Sequence, residues 1–264
     1  MKIGFIGCGN MATAMLKGIL KSGEVEASDM IASAKSDKTR EKIEKELGIR
    51  KADNNAQVVD FADVVFLAVK PQFLEGVLDE IRDSVKAGQI FISIAPGKTL
   101  QWLGERLGEN TKVIRTMPNT PAMVGEGMTA LCVNELVTEE EIALAVKLCD
   151  TFGKTEVIPE HLMDAVVGVS GSSPAYVFMF LEAMADAAVA DGMPRAQAYK
   201  FAAQSVLGSA KLMLETGKHP GELKDMVCSP AGTTIQAVRV LEEKGFRSAV
   251  IEAQTECVKK AKGM

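Results

Sequence analysis

The stretch KIGFIGCGNMA, residues 2–12, decides the fold of the first part of the chain. Lys2 to Ile6 predicts a short apolar strand, and a helix pattern runs from Asn10 to about Ser22. The glycines at positions 7 and 9 predict a tight turn between them. A strand, a glycine turn and a helix in this order predict the start of a βαβ unit.

Further strand and helix patterns alternate along the next 150 residues. We predict strands at 30–33, 63–69, 89–94, 112–115, 129–133 and 156–158, with helices at 38–47, from 71 to about 85, and at 138–151. The segment 63–69 is a β-branched apolar run, which is typical of a strand covered on both faces. This alternation predicts an α/β domain with a doubly wound, Rossmann-like, mostly parallel sheet over residues 1–159.

The pattern changes near Pro159, beyond which we predict helices alone. Helices are predicted to begin at the prolines 174, 194 and 220, and the glycines 192, 217 and 245 mark predicted helix ends. The longest of them carries few charges, which predicts that it packs against a partner surface. We therefore expect an all-α dimerisation domain over residues 160–264.

Composition and charge exclude several classes of protein. With 30 basic and 35 acidic residues the net charge is −5, which argues against nucleic-acid binding. Five cysteines, none in a C-x-x-C spacing, predict reduced thiols in a cytoplasmic protein, with neither a disulfide framework nor a zinc ribbon. Only His161 and His219 are present, so we expect no metal site, and we assign His219 a structural role.

Two apolar segments are not expected to be targeting or membrane segments. Glycines and lysines interrupt the N-terminal apolar residues, which argues against a signal peptide. The uncharged run from Ala165 to Leu181 is broken by the polar residues 170–174, so we predict two buried helix segments that meet at a turn.

The pattern G-x-G-x-x-A at residues 7–12 predicts a phosphate-binding turn. Gly7 allows the tight turn, Gly9 lets a pyrophosphate approach the backbone, and Ala12 permits close packing of helix on strand. The helix N-terminus then offers free N–H groups to the phosphates. The alternative is a glycine turn without a ligand.

The end of the second predicted strand indicates which dinucleotide binds. Enzymes that use NAD place a carboxylate there to hold the ribose 2′-hydroxyl. Here Ser33, Lys35 and Ser36 stand at the strand tip, and they suit a 2′-phosphate better. We expect NADPH to be preferred and NADH also to be accepted; the alternative is that Lys35 is a solvated loop lysine.

Three more loops follow predicted strands, where open parallel sheets bind ligands. They are Ala68-Val69-Lys70-Pro71-Gln72, Ala95-Pro96-Gly97-Lys98-Thr99 and Met117-Pro118-Asn119-Thr120-Pro121. Small residues in the first two would let ribose and nicotinamide lie against the backbone. We expect Asn119 to hold the nicotinamide carboxamide.

A second candidate site lies between two predicted helices, one ending near Val227 and the next beginning near Thr233. The connecting loop is rich in hydroxyls and glycine, and its N–H groups suit a carboxylate. The alternative is a Ser/Thr N-cap without a ligand.

Five motifs together resemble one family. GFIGCGNMA (4–12), VKP (69–71), MPNTP (117–121), GSSPAY (171–176) and HPGELKDMVCSPAGTTI (219–235) are similar to those of the pyrroline-5-carboxylate reductases. The resemblance implies an NAD(P)H-dependent oxidoreductase that reduces the cyclic imine L-1-pyrroline-5-carboxylate to L-proline, the last step of proline biosynthesis. It also implies an interlocked homodimer that often assembles into a ring of dimers.

The resemblance completes the predicted site. Thr234 is the expected catalytic residue, hydrogen-bonded to the ring nitrogen, and Asn55 is an expected adenosine contact in the loop after the second helix. The predicted substrate-binding residues are Val227, Cys228, Ser229, Ala231, Gly232, Thr233 and Thr234. The predicted cofactor-binding residues are Gly7, Gly9, Asn10, Met11, Ala12, Ser33, Lys35, Asn55, Ala68, Val69, Lys70, Ala95, Gly97 and Asn119. Many members of the family have Gly-Gly where this chain has Ala231-Gly232.

Two other functions remain open at this point. The β-hydroxyacid dehydrogenases share the N-terminal pattern but use a lysine on the long interdomain helix, and here the helix beginning near Pro174 has Glu182 and Asp186 but no lysine. A dinucleotide-binding sensor without turnover would not need the loop at 227–234.

Overall fold

The first 171 residues build an eight-stranded sheet in the computed structural model, which describes residues 1–263. The strands are β1 (Ile3–Ile6), β2 (Met30–Ser33), β3 (Arg50–Lys51), β4 (Val64–Leu67), β5 (Ile90–Ser93), β6 (Lys112–Met117), β7 (Gly127–Val133) and β8 (Gly153–Val157). Their order is β3-β2-β1-β4-β5-β6-β7-β8. All neighbouring pairs are parallel except β6 and β7.

Helices cover both faces of this sheet. They are α1 (Asn10–Ser22), α2 (Asp37–Lys45), α3 (Asn55–Phe61), α4 (Pro71–Ile81), α5 (Leu100–Leu107), α6 (Glu139–Asp150) and α7 (Met163–Val166). One core cluster joins the sheet to α1, α2 and α6, and the second joins it to α3, α4 and α5. The central strands β1, β4 and β5 are buried at every position, because both of their faces are covered.

The strand order reverses between β1 and β4, which are hydrogen-bonded neighbours. In open α/β sheets, ligands bind at such a reversal, outside the carboxyl ends of the strands. The turn that begins at Gly7 follows β1, and the loop Ala68–Lys70 follows β4. The fold therefore brings two of the predicted cofactor loops to one edge of the sheet.

The remaining helices build a second unit, Ser172–Cys257, except that the last turn of the final helix, from Val258 to Ala261, belongs with the first unit. These helices are α8 (Ser173–Ala190), α9 (Arg195–Thr216), α10 (Pro220–Val227), α11 (Thr233–Glu243) and α12 (Phe246–Ala261). No strand follows β8 among the residues described. The predicted fold class, a Rossmann-like sheet followed by helices, is confirmed. The predicted boundary at 159/160 stays a prediction, since the compact units divide at 171/172.

The uncharged run from Ala165 to Leu181 departs from its prediction. The polar residues are themselves mostly helical, because a π-helical segment covers Val167–Gly171 and α8 begins at Ser173, so that only Ser172 separates the two. The prediction that it is buried is wrong for the single chain, because Gly168 is the one buried residue between positions 165 and 181. Large side chains such as Phe178 and Met179 are about two-thirds exposed, at 65% and 69%.

By length and composition, one helical stretch, Glu160–Ala190, could cross a membrane. Its most apolar window of 18 residues has a mean hydropathy of 1.2, and 6% of that window is buried. A single stretch of this kind is weak evidence for a membrane protein, since an unpaired dimerisation surface has the same exposed apolar character.

Candidate active site

The turn after β1 contains two glycines, and the structure requires glycine at only one of the two positions. Gly7 has φ +95°, and a Cβ there would lie 2.7 Å from the carbonyl oxygen of Ala68, so no side chain fits. A Cβ at Gly9 would meet no heavy atom within 4 Å. The fold therefore requires glycine at position 7, whereas at position 9 it leaves open space beside the turn.

The open space lies at the N-terminus of α1. Gly9 is the N-cap residue, and no side chain caps the helix. The first-turn N–H groups and the positive end of the helix dipole are thus available to an anion. Ala12 is 1% exposed and packs in the core beneath the turn. These features fit the pyrophosphate of a dinucleotide.

Cys8 stands inside this turn but is not a nucleophile. Its side chain is 4% exposed, and its Sγ lies 3.8 Å from the hydroxyl of Thr13. Burial raises the pKa of the Cys8 thiol, an effect that Thr13 and Lys42 only partly oppose. The neutral thiol therefore serves packing.

A cavity of about 430 Å³ opens beside the tip of β2, and we call it the β2 cavity. Gly7, Ser33, Lys35 and Asn55 all line it, together with Val69, so the structure brings these predicted cofactor residues together. Asn55 is not in a loop, as predicted, but is the first residue of α3. The structure thus places an adenosine-sized space where the sequence predicted the adenosine half of the cofactor.

Four polar residues that line the β2 cavity were not predicted from the sequence, namely Arg40, Asp53, Asn54 and Glu80. Arg40, on α2, lines the cavity and donates from Nε to the carbonyl of Ala34 at 2.7 Å. Glu80, on α4, also lines it and accepts a hydrogen bond from Asn55 Nδ2 at 2.7 Å. The sequence contained one signal that could have predicted Arg40. Because Ser36 caps α2 directly after β2, a residue one turn into α2 lies near the tip of the strand.

The loops after β4 and β5 are shaped as expected for backbone contact with a ligand. Ala95 is buried, and Gly97 has φ +74° with open space where a Cβ would stand. Lys70, the N-cap residue of α4, is exposed. These features suit a ligand lying against the main chain at Ala68, Val69, Lys70, Ala95 and Gly97.

Asn119 has structural partners at both ends of its amide. Nδ2 donates to the carbonyl of Ser170 at 3.1 Å, and Oδ1 accepts from the N–H of Met128 at 2.8 Å. The side chain is also 8% exposed. Each of these bonds leaves one further hydrogen-bonding position on the amide, so they hold the side chain in place and still allow the predicted contact with a carboxamide.

The loop between α10 and α11 has no side-chain cap. Gly232 is the N-cap residue of α11, so the alternative of a Ser/Thr N-cap is wrong. The N–H of Gly232 bonds to the carbonyl of Ser229 at 3.0 Å, and Ala231 has φ +59°, the one positive value outside glycine among residues 1–263. The predicted substrate residues Val227, Cys228, Ser229, Ala231, Gly232, Thr233 and Thr234 therefore surround an uncapped helix N-terminus, which suits a carboxylate.

Neither histidine stands in a catalytic arrangement. His219 is the N-cap residue of α10, where its Nδ1 accepts from the N–H of Gly221 at 3.1 Å. This supports the structural role predicted for it. Among residues 1–263 no group of three or more His, Cys, Asp or Glu side chains could hold a metal ion.

Comparison with known proteins decides the family. Residues 160–264 match the model described as pyrroline-5-carboxylate reductase dimerisation, and residues 2–97 match NADP oxidoreductase coenzyme F420-dependent. Pyrroline-5-carboxylate reductase of Escherichia coli (strain K12) is 56% identical over 260 residues, covering 98% of this chain and 97% of that protein. The chain belongs to the pyrroline-5-carboxylate reductase family.

Solved structures agree with this assignment. A pyrroline-5-carboxylate reductase from Coxiella burnetii has a TM-score of 0.93 at 34% identity, covering 99% of this chain and 97% of that one. Plasmodium falciparum pyrroline carboxylate reductase, solved with NADP bound, has a TM-score of 0.89 at 28% identity, covering 100% and 97%. The predicted family, the oxidoreductase class and an NADP-type cofactor are confirmed.

Proposed function

We propose that this pyrroline-5-carboxylate reductase reduces L-1-pyrroline-5-carboxylate to L-proline with NADPH, the last step of proline biosynthesis. The observation that carries the proposal is the end-to-end identity of 56% with a relative of that name, combined with an intact phosphate turn and an uncapped α11. NADPH supplies the hydride when bound. The residues of this chain bind and orient the two reactants.

The substrate side needs a carboxylate site and a partner for the ring nitrogen. The N–H groups of the Val227–Thr234 loop bind the carboxylate at the N-terminus of α11. The hydroxyl of Thr234, which is half-buried, holds the ring nitrogen. A protonated imine is already electrophilic, so a hydroxyl that orients it can suffice where carbonyl reduction would need a proton donor.

The cofactor side is the turn at Gly7–Ala12 together with the β2 cavity. NADPH is preferred over NADH because the cations Lys35 and Arg40 line the cavity and none of residues 33–36 at the tip of β2 is a carboxylate. The loops at 68–70 and 95–97 hold the ribose and nicotinamide against the backbone. Asn119 remains the proposed carboxamide contact.

The assembly is a homodimer built through the helical domain, with dimers joined into a ring. The exposed apolar side chains support this, since Phe201 is 67% exposed and Leu214 is 84% exposed in the single chain. The dimerisation model begins at residue 160, which supports the boundary between domains 1–159 and 160–264. The partners are then the small-molecule substrate and further copies of the chain, with no membrane or nucleic acid, in the cytoplasm.

The test is a steady-state assay with purified protein. NADPH oxidation should begin only when the pyrroline substrate is added, and one L-proline should form for each NADPH consumed. NADPH binding without substrate-dependent oxidation would instead indicate a sensor. Reduction of a β-keto acid in place of the imine would indicate the dehydrogenase alternative.

A further inference from the structure

The β2 cavity contains a chain of hydrogen bonds with a fixed direction. Asn55 Nδ2 donates to the carboxylate of Glu80 at 2.7 Å, so the amide nitrogen of Asn55 faces Glu80. The other end of that amide, Oδ1, then faces Ser33 and accepts its hydroxyl proton at 2.6 Å. The hydroxyl of Ser33 has a single proton, and it is donated to Asn55.

This direction decides what Ser33 offers to a ligand. While its proton points to Asn55, the Ser33 oxygen can only accept a hydrogen bond. A ribose hydroxyl can donate to it, but a phosphate oxygen at neutral pH cannot. The hydroxyl of Ser33 is therefore a poor ligand for a 2′-phosphate, so donors for that group must come from elsewhere in the cavity.

Arg40 is the best-prepared donor. Its Nε is anchored on the carbonyl of Ala34, which fixes the guanidinium at the cavity wall. Within residues 1–263 its terminal nitrogens have one ion-pair partner, the carboxylate of Asp37 at 3.8 Å. The side chain of Asp37 is 95% exposed. Lys35, by contrast, is exposed and lies 5.5 Å from the ring centroid of Phe73. A planar, anchored guanidinium loses less entropy on binding phosphate than a free lysine does.

We propose that Arg40 is the residue that makes the β2 cavity select a 2′-phosphorylated adenosine, while the Ser33–Asn55–Glu80 chain accepts the ribose. This inference rests on the proposed cofactor function and adds two residues to it. Arg40 acts as a specificity residue for the nucleotide and has no part in hydride transfer. Glu80 acts on the ligand through Asn55.

Binding of two small probes to the full-length protein tests the inference without turnover. Calorimetry with 2′,5′-ADP and with 5′-AMP compares ligands that differ at the 2′ position. Arg40→Gln should weaken the binding of 2′,5′-ADP about 10- to 50-fold, which is the range for a lost hydrogen bond between charged groups. The affinity for 5′-AMP should change less than about twofold. Arg40→Lys should restore part of the loss. Arg82→Gln, which removes an exposed charge on another helical turn, is the matched control and should change neither.

Glu80→Gln tests the hydrogen-bond chain separately. A glutamine can donate to Asn55 Oδ1, so the amide can turn and release the Ser33 proton for a phosphate. The variant should bind 2′,5′-ADP about 3- to 10-fold more tightly than wild type, also because one negative charge is removed. Unchanged or weaker binding of 2′,5′-ADP would refute the directional argument.

If Arg40→Gln weakened the binding of 2′,5′-ADP and of 5′-AMP equally, the assignment of Arg40 would be overturned. The same would follow if Lys35→Gln, and not Arg40→Gln, weakened the binding of 2′,5′-ADP. The outcome is separable from that of the proposed function. The contrast between the two probes in Arg40→Gln is read from binding alone and needs no turnover. If the wild-type protein reduces no imine with either nucleotide, the proposed function is wrong. The difference in affinity between the two probes still tests the assignment of Arg40 in that case.

Discussion

Replacing Gly9 by alanine separates cofactor binding from folding. The added methyl would meet no heavy atom within 4 Å in the unliganded protein, and the backbone at Gly9, with φ −75°, is allowed for alanine. Alanine is a poorer N-cap than glycine by a few tenths to about 1 kcal/mol. The lower entropy of the unfolded chain offsets this by about 0.4–1 kcal/mol. The free energy of unfolding should therefore stay within about 1 kcal/mol of wild type.

The same methyl occupies the space proposed for the pyrophosphate. Overpacking by a methyl costs about 1–3 kcal/mol in a well-packed contact, which corresponds to about 5- to 150-fold weaker binding. We expect the Kd for NADPH, measured by fluorescence titration, to rise by about 5- to 150-fold. Because the thermal midpoint should hardly move, the loss cannot be ascribed to unfolding.

Gly7→Ala is the contrasting variant. Its methyl would lie 2.7 Å from the Ala68 carbonyl oxygen, and its φ of +95° strains any residue with a side chain. We expect the free energy of unfolding to fall by about 2–4 kcal/mol. If Gly9→Ala bound NADPH as wild type does, the phosphate would not lie over this turn and the reasoning would be refuted.

Three further predictions concern other parts of the protein. Thr234→Ala should lower kcat about 10- to 100-fold in steady-state assays, whereas Thr234→Ser, which keeps the hydroxyl, should retain most of it; unchanged kinetics in the alanine variant would remove Thr234 from the mechanism. Lys35→Asp should raise the KM for NADPH more than that for NADH, and an equal rise would support the solvated-lysine alternative. Glu160→Ala should lower the free energy of unfolding in urea by about 2–4 kcal/mol, because the 4% exposed Arg115, held at 2.9 Å, would lose its carboxylate partner. Glu160→Gln should lose less, and an unshifted urea midpoint for the alanine variant would contradict the argument.

Much of the sheet was predictable because its signal is local. The predicted bounds of α1 and β2 agree with Asn10–Ser22 and Met30–Ser33, since glycines and polar residues mark the ends of both apolar patterns. The strand β3 was missed because it consists of two exposed charged residues, Arg50 and Lys51. The helices α3 and α5 were missed because each is eight residues or shorter, so the periodic pattern is brief.

Strand direction was not predictable in detail. The periodicity of a strand is the same in parallel and antiparallel pairs, so nothing in residues 129–133 indicated that β7 runs against β6. Burial of α8 was likewise not decided by its composition, because a partner subunit and a core present the same environment to an apolar helix.

In the candidate site, too, the residues with a local sequence signal were predicted and those brought together by tertiary packing were not. The turn at Gly7–Ala12 and the loop at 227–234 were found because their glycines and hydroxyls stand together in the sequence. Arg40 and Glu80 were missed because they meet Ser33 and Asn55 only through tertiary packing of α2 and α4 around β2. The structural partners of Asn119 stand 9 residues away at Met128 and 51 residues away at Ser170, so the pattern around Asn119 did not indicate them.

A crystal structure of the protein soaked with NADPH and L-proline, the proposed product, tests the central claim most directly. The account predicts the pyrophosphate over Gly9 at the N-terminus of α1 and the proline carboxylate on the main-chain N–H groups of residues 227–234. A dinucleotide bound away from the Gly7–Ala12 turn, or a proline ring remote from that loop, would contradict it.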